Sequence, residues 1–206
     1  VKVIDKPAGI NSDDFERRVH RLDKDTSGVL LLAKDEETLE FLQKQFKERK
    51  VKKKYLALVV GHLKSEKGEI ETLIGRSPND RRKQKVYLPN EPGVEKIYRK
   101  AITKYRVLQR FSAQGGSASG GENYDLIEAE PQTGRKHQIR AQLTYLGHPI
   151  AGDKLYGFKG QICPKGLNRQ FLHSSYLKIQ LPSGETKEFT SELPAELKSI
   201  LGDPIS

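Results

Sequence analysis

The chain has 206 residues, and its 37 Lys plus Arg outnumber 27 Asp plus Glu to leave a formal net charge of +10, an excess suited to a polyanionic partner, most commonly nucleic acid. Hydrophobic residues make up only 35% and charged residues 31%, and no apolar run approaches the roughly 18–20 residues of a membrane span. A lone Cys163 excludes an internal disulfide and a zinc ribbon, and none of His20, His62, His137, His148 and His173 forms the i, i+4 pair of a helical metal site.

The opening Val1-Lys2-Val3-Ile4-Asp5 is charged and lacks the apolar core of a secretory signal, so an intracellular, cytoplasmic protein is expected (organellar or nuclear in a eukaryotic cell). Val29-Leu30-Leu31-Leu32-Ala33 reads as a short buried strand after the turn residues Ser27-Gly28. Asp35 then caps a helix to about Lys50, with Leu39, Leu42 and Phe46 on its apolar face and basic residues in its last turns. Lys52 to Val60 alternates as a strand, with Tyr55, Ala57 and Val59 on one side. Further strands are expected near Lys100–Val107, Tyr124–Glu130 and Leu177–Leu181, and the basic stretch Arg76 to Lys85 reads as a loop. Gln114 to Gly121 reads as a surface loop and matches no phosphate-binding glycine motif. A second helix is expected from Gly134 to Leu146, N-capped by Thr133 and stopped by Gly147, with Ile139, Leu143 and Leu146 as its buried stripe. A final short helix starts at Pro194 and ends near Leu201. Strands dominate and adjacent ones often lack a helical crossover, so the expected fold is α+β, a mixed and mainly antiparallel β-sheet with flanking helices. The length fits one large domain or two small ones, and a single domain over 1–206 is expected.

Three segments gather chemistry. His20-Arg21-Leu22-Asp23-Lys24-Asp25-Thr26-Ser27-Gly28 places acids, cations and hydroxyls just before the apolar strand. It reads either as a site, with Asp23 as nucleophile or proton acceptor, or as a charged turn whose Asp caps backbone amides. Thr133-Gly134-Arg135-Lys136-His137-Gln138-Ile139-Arg140 crowds cations at a helix start. That is unfavourable to the dipole unless an anion binds there, and it otherwise reads as a solvated basic helix. Arg140, next to the core residue Ile139, lies at the edge of the buried face, where it can reach a neighbouring carboxylate. Lys52-Lys53-Lys54-Tyr55 suits a phosphate path ending in a base-stacking ring, or a solvated strand end with a core tyrosine.

Taken in order, these stretches resemble the RluA family of RNA pseudouridine synthases. Asp5-Lys6-Pro7-Ala8-Gly9 resembles the family's opening strand and turn. His20-Arg21-Leu22-Asp23 with Thr26-Ser27-Gly28 is similar to its signature, including the aspartate. Lys53-Lys54-Tyr55 is similar to the second motif. Thr133 to Arg140, with Gly147-His148-Pro149-Ile150-Ala151-Gly152-Asp153 and Leu155-Tyr156-Gly157, is similar to the third.

The resemblance covers nearly the whole chain and implies isomerisation of a uridine in RNA, ribosomal or transfer, to pseudouridine. The base is detached from C1′, rotated and rejoined through C5, without metal, nucleotide or redox cofactor. It implies catalytic roles for Asp23, Tyr55 and Arg140, with Tyr55 stacking on the uracil and helping to take the C5 proton, and Arg140 pairing with Asp23. Arg21 would fill the gap left by a flipped nucleotide or hold its phosphate, and Ile139 would pack by the base. RNA-binding roles for His20, Lys54, Arg135, His137 and Gln138 complete the expected site, in a protein acting as a monomer on RNA. The stretch 11–18 is shorter than its family counterpart, and the small N-terminal RNA-binding domain of many relatives is not in the sequence. The other reading is a non-catalytic RNA-binding or ribosome-assembly protein on the same scaffold.

Overall fold

The computed structural model describes residues 1–88, 98–112 and 123–202; the glycine-rich 114–121 lies outside the described residues. In chain order the elements are β1 (Lys2–Lys6), β2 (Ser27–Leu32), α1 (Glu36–Lys47), β3 (Lys52–Val60), β4 (Lys67–Arg76), β5 (Gln84–Tyr87), β6 (Arg99–Phe111), β7 (Tyr124–Pro131), α2 (Gln138–Tyr145), β8 (Leu172–Gln180), β9 (Thr186–Thr190) and α3 (Ala195–Leu201). This is the expected mixed, largely antiparallel β structure with flanking helices. None of the described helices is long and apolar enough to cross a membrane. The chain packs as two compact units, 1–56 with 172–195, and 57–171 with 196–206.

In the first unit β1 runs antiparallel to β2. β2 is parallel to β8, with Ser27 opposite His173 and Gly28 opposite Ser174. β9 pairs antiparallel with β8, and the first half of β3 lies along β8 as well. Val29 and Leu31 of β2 meet Leu177 and Ile179 of β8 and Leu42 of α1 in the core, with Leu39 and Phe46 packed against it. This is the apolar stripe expected for α1. Asp35 caps that helix through Thr38 N–H at 2.8 Å, and Lys44 and Lys47 close it, three residues short of the expected end.

Gly28 decides how close β8 approaches. Its φ is +113°, and a Cβ there would sit 2.2 Å from the Ser174 carbonyl oxygen. Gly28→Ala combines backbone strain of about 1–2 kcal/mol with overpacking of about 1–3 kcal/mol. It is therefore expected to lower unfolding stability by several kcal/mol, read as a shift in the urea midpoint at unchanged m-value.

In the second unit the strands lie in the order β3 (its second half), β7, β6, β4, β5. β4 and β5 are strands that the sequence reading did not name, and the basic stretch Arg76 to Lys85 that it read as a loop is the connection between them apart from its ends. Ile70, Thr72 and Ile74 of β4 are buried, while Glu69 and Glu71 are exposed and Leu73 is half-buried, so a threonine on the inner face and a leucine on the outer one blur the alternation. The turn itself runs from Ser77 to Lys83, closed by Ser77 N–H on the Lys83 carbonyl at 3.1 Å.

α2 packs on β4, β5 and β7 and departs from expectation at its start. It begins at Gln138, not Gly134, with His137 as N-cap in a left-handed conformation, φ 54°. Thr133 does not cap it: its hydroxyl donates to Gln138 Oε1 at 2.7 Å and accepts from Ile102 N–H at 3.0 Å. Gly147, at φ +86°, follows the helix end as expected, but Leu146 is 39% exposed and does not join the buried stripe of Ile139 and Leu143.

Candidate active site

In the first unit the segment around Asp23 is pinned on both sides. Ser12 Oγ donates to the Leu22 carbonyl at 2.8 Å and accepts from Leu22 N–H at 3.0 Å. The Lys24 carbonyl receives Gly9 N–H at 2.9 Å and the buried Lys6 ammonium at 3.0 Å, which also donates to the carbonyls of Pro7 and Ile10. A lysine almost wholly removed from water needs several oxygens around it, and here those oxygens belong to two chain segments. Lys6 thus fastens the β1 turn to the Asp23 loop. Sequence reading missed this role, because a lysine in a turn looks solvated. The Asp23 carbonyl accepts Thr26 N–H at 3.0 Å and closes the turn into β2.

Asp23 is half-buried and lies close enough to Tyr55 for its charge to act on the phenol. The Tyr55 phenol is pushed up to about 12, first by burial, with the Asp23 charge adding to the rise and a hydrogen bond with the Ser174 side chain opposing it. The phenol is therefore protonated at neutral pH, an aromatic face with a hydroxyl beside a carboxylate. Ser174 stands opposite Gly28, so the absent Cβ of Gly28 is part of what brings this hydroxyl to Tyr55.

The neighbours of this pair are distinct in character. The His20 ring stacks on Phe46 at 4.9 Å, and its Nε2 accepts Leu31 N–H at 3.2 Å, which leaves the ring proton on Nδ1. Burial, with the Lys53 charge, lowers it to about 3, so the ring is neutral and braces the loop against β2. Side chains alternate along a strand, so Lys53 shares the Tyr55 face while Lys54 takes the other, its ammonium 5.6 Å above the Tyr176 ring. Burial lowers Lys53 to about 8. Arg21 is exposed. Beneath them, buried Ser27 bonds His173 Nδ1 at 2.9 Å, and His173 Nε2 bonds the Ser191 carbonyl at 3.0 Å, locking β2 to β8.

In the second unit Arg140 is 7% exposed, buried rather than at the edge of the helix face. Its Nε and Nη2 grip Asp153 Oδ2 and Oδ1 at 2.7 and 2.9 Å. Asp153 Oδ1 also accepts the amides of Leu155 and Tyr156 at 2.9 and 3.0 Å. The sequence expected a carboxylate partner for Arg140 but did not single out Asp153. Gln138 is buried and used within α2's own packing: Nε2 donates to the Ile102 carbonyl and Thr103 Oγ1, each at 2.9 Å. Gln142 does the same one turn on, donating to the carbonyls of Ile70 and Ala101 and to Thr72 Oγ1. Ile139 is buried. Arg135 Nε donates to the Lys100 carbonyl at 3.1 Å, and His137 Nδ1 lies 3.0 Å from the Tyr156 hydroxyl. In the basic turn, Arg82 forks onto Asp80 at 2.8 and 3.0 Å and holds that carboxyl down at about 2.

A loop-borne carboxylate beside a protonated phenol in the first unit defines a candidate site for acid–base or nucleophilic work. The sequence profile of the family described as RNA pseudouridylate synthase matches residues 14–145, and the chain belongs to that family. It is 41% identical over 184 residues to an "Uncharacterized RNA pseudouridine synthase" of Chloroflexus aurantiacus, covering 89% of this chain and 52% of the relative. It is 42% identical over 186 residues to the "Ribosomal large subunit pseudouridine synthase D" of Borreliella burgdorferi, covering 90% and 51%. Among solved structures it resembles "Human RNA Pseudouridylate Synthase Domain Containing 1" with a TM-score of 0.78 at 28% identity, covering 93% of this chain and 79% of that one. The chain spans about half the length of the curated relatives it matches.

Proposed function

We propose that the protein is an RNA pseudouridine synthase whose target is a uridine of structured RNA, ribosomal RNA being favoured by the name of the Borreliella burgdorferi relative. The observation that carries the reading is the Asp23–Tyr55 pair, a half-buried carboxylate acting on the phenol of Tyr55, in a chain of this family. In this reading Asp23 serves the sugar of an extruded nucleotide, as nucleophile at C1′ or as base for a sugar proton, and the freed uracil turns and rejoins through C5. Arg140 supplies the cation of the reaction. Its fork on Asp153 uses both Nε and Nη2, an arrangement that a lysine's single ammonium does not reproduce.

Unstacking the nucleotide costs a few kcal/mol, and phosphate contacts from Arg21, the Lys52–Lys54 run, Arg135 and the basic β4–β5 turn offset it. In this reading the protein works inside the cell and this catalytic domain acts as a monomer.

The test is release of tritium from RNA labelled at C5 of its uridines. The wild type is expected to release label in proportion to pseudouridine formed. Absence of release from all cellular RNAs, by folded full-length protein, would reject the reading.

Tyr55 adds a second prediction. A phenol held near 12 accepts the C5 proton only by passing on its own, and Ser174 is the neighbour in place for that relay. Tyr55→Phe keeps the stacking ring and loses the relay, so it is expected to bind RNA as the wild type does. It should slow release by about 10²–10⁴-fold, the range of a lost general acid–base group. Unaltered release would remove the hydroxyl from the mechanism.

A further inference from the structure

The second unit holds an anchored aromatic ring that the reading above does not use. Tyr156 lies with its ring 4.9 Å from the Arg140 guanidinium carbon, and Asp153, the partner of Arg140, also accepts the Tyr156 amide. The hydroxyl is held from two directions. Gln84 N–H, at the start of β5, donates to it at 2.6 Å, and His137 Nδ1 lies 3.0 Å away. With Gln84 donating, the phenol can give its own proton to Nδ1, so each group has a partner of the opposite kind.

His137 is also the left-handed residue that opens α2, three positions before Arg140. The two rings meet edge to face, with centroids 5.6 Å apart. Ring orientation, helix start and guanidinium are thus tied through one hydroxyl. A guanidinium over an aromatic face is attracted by the ring quadrupole, more strongly when water is excluded. The carboxylate fork fixes the plane of Arg140 from one edge, and the ring supports it from a face.

The geometry points to Tyr156 as a positioning residue for Arg140, one that fixes the guanidinium for the reaction without touching substrate. This inference rests on the proposed catalytic role of Arg140. Tyr156→Phe keeps the ring and removes both hydroxyl contacts. It is expected to lower kcat about tenfold, the equivalent of one hydrogen bond, with KM for RNA within about twofold. Tyr156→Leu, which also removes the ring, is expected to lose about a further tenfold.

Tyr124→Phe is the control, since Tyr124 is a buried tyrosine of the same unit whose hydroxyl donates to the Ile162 carbonyl at 2.9 Å. It is expected to leave kcat unchanged. Nitrogen-15 NMR of the Arg140 Nε–H supplies a readout besides activity: exchange with water is expected to quicken in Tyr156→Phe and not in Tyr124→Phe. Wild-type kcat in Tyr156→Phe, or an equal loss in Tyr124→Phe, would overturn the inference. If Arg140→Ala is inactive while Tyr156→Phe is normal, only this inference fails. If Arg140→Ala retains full activity, the catalytic role of Arg140 fails and this inference with it.

Discussion

Asp23→Asn is expected to release tritium at least about ten-thousand-fold more slowly than the wild type, the scale of losing a central nucleophile or base, while binding the same RNA almost unchanged. The amide has the shape of the carboxylate and no charge. The backbone on either side of it is held by Ser12 on Leu22 and by Lys6 and Gly9 on Lys24, so the loop keeps its place. A second readout needs no turnover. The Asp23 charge is one of the causes that raise the Tyr55 phenol to about 12, because a nearby anion disfavours phenolate. Removing it should lower that value, seen by ultraviolet titration as the difference between Asp23→Asn and the Asp23→Asn/Tyr55→Phe double variant. Near-normal release would show that another group does the chemistry. Rescue of a deletion phenotype by Asp23→Asn would favour a binding protein on the same scaffold.

The candidate site was legible where its residues follow local rules. Asp23 stands before an apolar strand, and Tyr55 ends a basic run on a strand whose limits alternation alone marks. The Asp35 cap and the Gly147 stop are contacts between near neighbours in sequence, and both read correctly. What the sequence hid depends on partners far along the chain or on polar groups used inside the fold. Thr133 has the chemistry of a cap, yet its hydroxyl bonds Gln138 and β6, and the helix opens later at a strained His137. Gln138 and Gln142 look like surface residues of a basic helix, but their amides brace α2 on β4 and β6. Such amides are stable in a core only when each donor and acceptor is matched, and pattern alone does not show matching. Lys6 hid for the same reason. Lys53 rather than Lys54 shares the Tyr55 face, a consequence of strand alternation that a run of three lysines obscures.

Asp153→Ala is expected to cost about 3–5 kcal/mol of stability, the range for removing one partner of a buried ion pair. In a chain of this size that is a fall in melting temperature of about 6–20 °C. The cause is the loss of the fork around a buried charge: Arg140 is 7% exposed and would lose both of its bonds to Asp153. The amides of Leu155 and Tyr156 lose their acceptor as well. Asp153→Asn can keep an oxygen for those amides while removing the charge, so its loss should be smaller. The double variant Arg140→Met/Asp153→Leu removes both charges and should recover much of the stability, since apolar replacement of a buried pair is often neutral or better, while remaining inactive. That combination separates two contributions of the fork, because a pair kept only for stability would leave the double variant active, whereas a guanidinium required by the reaction leaves it folded and silent.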